Sequence, residues 1–129
     1  MKLNLVQDKG VTNGYHGVIY NVEGMDNGLQ SAMELLNSLR ERIPTVSSVV
    51  VRPMSDHSSP QEPFCYNSYD ECLANQQEFS AYNISRIGIF GWDDANEIIA
   101  SINLDEKTIG FSSKPREKTP SEGSPRPSK

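Results

Sequence analysis

The run Ile84-Ser85-Arg86-Ile87-Gly88-Ile89-Phe90-Gly91-Trp92 constrains the fold more than any other stretch of the chain. It is rich in β-branched and aromatic residues, so it reads as a strand. Gly88 and Gly91 mark a bulge, or places where another backbone or a ligand comes close. Behind the run come Asp93-Asp94-Ala95-Asn96-Glu97 and then Ile98, Ile99 and Ile102. Asp94 with Glu97 three residues later has the form of a capping box, which predicts a helix starting at Asp94. A second strand over Lys107–Phe111 would close a β-α-β unit, with Ile87, Ile89, Ile98 and Ile102 inside.

The segments before this unit carry their own signals. Leu3–Val6 alternates weakly and predicts a first strand. Asp8-Lys9-Gly10 and Thr12-Asn13-Gly14 have turn chemistry, because Lys-Gly and Asn-Gly suit positive φ. Tyr15–Val22 alternates and predicts a hairpin partner for the first strand. Leu29, Met33, Leu36, Leu39 and Ile43 recur at spacings of three and four, which predicts a helix over Gly28–Ile43 that Pro44 stops. Val49-Val50-Val51 is apolar toward both faces, so Val46–Arg52 reads as a central strand.

Pro53–Asn67 shows no periodicity. Irregular connections of this length in a compact domain are usually functional or disordered. The stretch contains His57, Phe64, Cys65 and Tyr66. Ser68-Tyr69-Asp70-Glu71 is another capping box, and it predicts a helix to Ser80 with Cys72, Leu73, Gln76 and Phe79 inward. The element order predicts one α+β domain over residues 1–112. Its mostly antiparallel sheet would have about five strands packed by two to three helices, and a ferredoxin-like variant fits that order. Residues 113–129 hold four prolines, several serines and no apolar residue, so they predict a disordered basic tail.

Charge narrows the function classes. Residues 1–112 hold seven Lys and Arg against fifteen Asp and Glu, and residues 113–129 hold five against two. An acidic body argues against direct nucleic-acid binding, which draws most of its affinity from phosphate contacts. It suits a protein partner with a basic surface. No run of about 18 apolar residues is present, and the first residues lack a signal-peptide core, so the expected setting is the cytoplasm, away from membranes. Two cysteines, Cys65 and Cys72, are too few for a disulfide scaffold. Their spacing does not match a structural zinc site, so no metal or other cofactor is expected.

Three functions remain. The favoured one is a non-enzymatic intracellular binding protein of the inhibitor, immunity or adaptor type, such as a phage or mobile-element accessory protein. It would present Asp70, Glu71, Glu78, Asp93 and Asp94, with His57, Phe64 and Tyr66 of the 53–67 loop, to its partner, and Trp92 would be an anchor if exposed. The second is a small-molecule or nucleotide binder with a pocket between the 53–67 loop and Gly88–Trp92, where a homo-oligomer interface is also compatible. The third is a cysteine-dependent hydrolase, in which His57 or His16 would activate Cys65.

Overall fold

Ile84–Trp92 forms the strand its side chains predict, but the residues behind it turn straight back instead of entering a helix. Asp93 directs the reversal. Its Oδ1 accepts the backbone N–H groups of Ala95 (2.8 Å) and Asn96 (2.7 Å), and its own N–H donates to the Asn96 carbonyl at 2.9 Å. An Asp side chain that bonds backbone two and three residues on is a turn former as readily as a helix cap. Asn96–Asn103 is therefore a strand, and Trp92 pairs with Glu97. The β-branched Ile98, Ile99 and Ile102 suit it better than a helix.

The computed structural model describes residues 2–26, 28–54 and 62–116. Its strands are β1 (Lys2–Thr12), β2 (Tyr15–Glu23), β3 (Thr45–Pro53), β4 (Phe64–Tyr66), β5 (Ile84–Trp92), β6 (Asn96–Asn103) and β7 (Thr108–Pro115). They form one seven-stranded sheet in the order β1-β2-β7-β6-β5-β3-β4, with every neighbouring pair antiparallel. Two short helices, α1 (Leu29–Ser38) and α2 (Tyr69–Ala74), are each followed by a 3-10 turn.

The expected α+β fold of about five strands, with its ferredoxin-like variant, is thus replaced by a sheet-dominated architecture. Three features account for the difference. Residues 96–103 are strand rather than helix, β4 lies inside the presumed 53–67 loop, and β1 runs to Thr12. Asp8-Lys9-Gly10 is a bulge in β1 instead of a turn: the register shifts there, Gly10 has φ 71°, and its N–H donates to Asp8 Oδ1 at 2.9 Å. The hairpin turn comes where Asn-Gly predicts it, at Asn13 (φ 54°) and Gly14 (φ 84°). β7 extends to Pro115, and Arg116 N–H donates to the Ala95 carbonyl. Residues 117–129 of the expected tail, and 55–61 of the expected loop, lie outside the described residues.

Side chains alternate across a strand, so the register assigns each to a face. Val49 and Val51 of β3, Ile87 and Ile89 of β5, Ile98, Ala100 and Ile102 of β6, and Ile109 and Phe111 of β7 are buried on one face. They join Ala32, Met33, Leu35, Leu36 and Leu39 of α1 and its 3-10 turn in a single core. The α1 stripe is the one its spacing predicts, although the α-helix ends at Ser38 and Ile43 is reached through the 3-10 turn. The opposite face, with Val50, Gly88, Phe90, Ile99, Ser101 and Gly110, has no helix over it among the described residues; Phe90 is 46% exposed.

The two β5 glycines differ in what surrounds them. A Cβ at Gly91 would collide with the Thr45 carbonyl oxygen and come within 2.5 Å of Ile43 Cγ2, whereas nothing lies within 4 Å of one at Gly88. Gly91→Ala is expected to lower the unfolding free energy by about 2 kcal/mol, the middle of the usual overpacking cost. Gly88→Ala should leave it unchanged or raise it by a few tenths of a kcal/mol. Urea denaturation of the two variants checks this.

Candidate functional site

The helix layer contains a built surface feature. Ser68 Oγ accepts the Glu71 N–H at 3.0 Å, so Ser68 caps α2 as predicted, while Glu71 Oε1 accepts the N–H of Asn67 (2.8 Å) rather than that of Ser68. Tyr69, buried in its first turn, donates from its hydroxyl to the Ile43 carbonyl at 2.8 Å. Burial pushes that phenol up to about 12, with Arg40 pulling the other way. The Arg40 guanidinium lies 5.2 Å from the Tyr69 ring centroid and also bonds Asn37 Oδ1 (2.8 Å) and Asp70. These contacts tie α2 to the end of α1.

Between them runs a groove of about 710 Å³. Leu29, Met33 and Leu73 supply its apolar lining, while Glu34, Arg40 and Asp70 are its charged lining residues. Of the expected binding residues among those described, only Asp70 lines this groove. Sequence reasoning did not single out Met33, Glu34 or Leu73 as functional. Their signal was the thin inner face of α2, too poor in apolar residues to close against α1.

The other expected residues are dispersed, and most have structural work. Glu71 belongs to the helix cap. Glu78 Oε1 accepts the Tyr66 hydroxyl at 2.6 Å, and burial followed by this bond holds the Tyr66 phenol far above its ordinary range. Phe64 packs on Phe79 (5.8 Å between ring centroids) and Tyr82 (5.6 Å), so Phe64 and Tyr66 fasten the edge strand β4 to the α2 region. Asp93 shapes the β5–β6 turn, and Asp94 is exposed beside it. Trp92 is half-buried, with Arg116 Cζ 6.0 Å from its ring centroid. Trp92 pairs with Thr45 and Tyr69 bonds Ile43, so the β5–β6 turn and the start of α2 share one end of the sheet. His57 lies outside the described residues.

Cys65 is exposed on β4, and Cys72 is buried. Burial pushes the Cys72 thiol up to about 12, and Glu71 adds to the effect. His16 lies on β2, where its Nε2 is 2.8 Å from Asp8 Oδ1. Four strands separate β2 from β4, a span of roughly 24 Å at ~4.8 Å per step, so His16 cannot activate Cys65. Among the described residues, no three His, Cys, Asp or Glu side chains are grouped to hold a metal ion. No helix is long and apolar enough to cross a membrane among these residues.

No protein-family model matches the chain, no curated protein matches its sequence, and no solved structure matches its fold.

The two thiols should differ sharply in access. Iodoacetamide at neutral pH is expected to modify Cys65 in the native protein and to reach Cys72 only after unfolding. Peptide mass spectrometry reads both sites; equal native labelling would contradict the burial of Cys72.

Proposed function

We propose that the protein is a non-enzymatic binding protein of the inhibitor, immunity or adaptor kind, which holds a basic, partly apolar segment of a protein partner in the α1–α2 groove. The observation that carries this reading is the groove itself, with apolar Leu29, Met33 and Leu73 alongside acidic Glu34 and Asp70. An amphipathic helix laid in such a trough buries its apolar side and keeps its basic side against the carboxylates. Small-molecule sites usually bury about 70–90% of their ligand, and a trough along two helices does not enclose one in that way.

The surrounding charge has the same sign. Residues 1–112 carry an excess of eight acidic side chains. Asp93, Asp94 and the start of α2 lie at one end of the sheet, where Arg40, Arg42 and Arg116 lie beside them. The net acidic field speeds encounter with a basic partner and weakens in salt.

Affinity capture from the source cells, comparing the native chain with the double variant Glu34→Lys/Leu73→Glu, tests the proposal. A partner should be retained by the native chain, lost at least tenfold from the variant, and released as salt rises from about 50 to 500 mM. Equal retention by both chains, or a complex indifferent to salt, would contradict it.

A further inference from the structure

The uncovered face of the sheet has an internal order that the proposed partner groove does not use. Two rows of residues cross its middle. One is Gly17, Ser112, Ile99, Phe90 and Ser48, and the other is Ile19, Gly110, Ser101, Gly88 and Val50. Neither row contains a charged residue. On β2, β3, β5 and β6, the two positions are one large apolar residue and one small one: Ile19 with Gly17, Val50 with Ser48, Phe90 with Gly88, and Ile99 with Ser101. On β7 both are small, Gly110 and Ser112, and they floor a shallow trough of about 350 Å³ whose rim carries Lys9, Arg86 and Glu106.

We infer that this face docks against the same face of a second copy, through a two-fold axis that runs across the strands between the two rows. Such an axis lays each strand over its own counterpart in the opposite direction and exchanges the rows. At the three strands β5, β6 and β3 a large residue then meets a small one: Phe90 of one copy sits over Gly88 of the other, Ile99 over Ser101 and Val50 over Ser48, while on β2 Ile19 meets the Lys9 stem, whose Cβ and Cδ lie 3.6 and 3.7 Å from where a Gly17 Cβ would be. A two-fold interface must be self-complementary in this way. Facing sheets cross at about 30°, so the match is closest at the central strands. Gly88 is an open socket, with nothing within 4 Å of its missing Cβ, and Phe90, 46% exposed, is the knob of the right kind beside it.

The borders also match. The same operation brings the row of Trp92 and Glu97 over the row of Arg86 and Asn103, so a guanidinium meets an indole face with a carboxylate beside it. The face from β2 to β3 is about 19 Å wide and, from Trp92 to Arg86, about 20 Å tall, a flat footprint of roughly 400 Å². Side-chain relief raises this toward the roughly 600–1,000 Å² that each partner contributes to a stable interface. The chain's own stretches at 55–61 and 117–129 have no aliphatic side chain and no Phe, Tyr or Trp, so they do not match the large positions.

Sedimentation velocity on the full chain from about 1 to 300 µM, a range suited to an interface of this size, tests the proposal. The native chain should move from 14.4 kDa to twice that mass. Gly88→Val fills the socket in open space with a good strand former, so it should fold normally by circular dichroism and weaken the dimer at least tenfold. Phe90→Ser should do the same, and the exchange Gly88→Phe/Phe90→Gly should restore association. A native chain that stays monomeric, a dimer that Gly88→Val leaves intact, or a folded exchange variant that stays monomeric overturns it. Because the groove lies on the other face, Gly88→Val should leave partner capture unchanged, so the two proposals fail separately.

Discussion

A helix is about 10 Å across, and the seven strands here span roughly 30 Å, so two short helices can cover only part of one face of the sheet. The rest of the structure follows from that constraint. Buried residues concentrate on β3, β5, β6 and β7 beneath the helices, where Val49, Ile87, Ile89, Ala100, Ile102 and Ile109 are fully buried. The β1 edge lies beyond that cover, and Leu5 and Val11 are 60% and 71% exposed. Two bulges interrupt β1, and bulges of this kind keep an edge strand from pairing with a stray chain. Among the described residues the far face is left open, with Lys9, Arg86 and Glu106 around its middle.

Electrostatics is divided between structure and surface. Asp8, Asp26, Glu71 and Asp93 each accept backbone N–H groups at a bulge, a helix start or a turn. Those bonds hold the Asp8 and Asp26 carboxyls below their ordinary range, chiefly through the N–H of Gly10 and of Gly28. A count of acidic residues therefore overstates what is offered to a partner. Glu34 and Asp94 are exposed on the helix layer and the adjoining turn and carry charge that recognition can use, whereas exposed Asp70 shares its charge with Arg40.

Local chemistry made much of this legible in the sequence. Asn13-Gly14 requires positive φ, Leu29 to Ile43 draws one stripe, Ser68 caps α2, and the β-branched run of β5 has no good alternative to strand. The failure at Asp93 is instructive because an Asp bonding backbone two and three residues ahead looks the same at a helix start and at a hairpin. What decides is long-range: β6 fits between β5 and β7, and pairing on both sides buries Ile98, Ala100 and Ile102. β4 was hidden for a related reason, since three residues become a strand only against the edge of β3 and the rings of Phe79 and Tyr82. Asp70 was identifiable as an exposed acid, but the groove it lines depends on the Arg40, Tyr69 and Ile43 contacts between distant segments.

The account rests on β6 being a strand with one face in the core and the other open. Nuclear magnetic resonance of the dilute protein with a soluble paramagnetic probe tests this most directly. Cross-strand contacts should link residues 86–92 to 97–103, and the Ile99 methyl groups should relax strongly while those of Ile98 and Ile102 are protected. Sequential helical contacts across 94–102, with Ile99 as protected as Ile98, would contradict it.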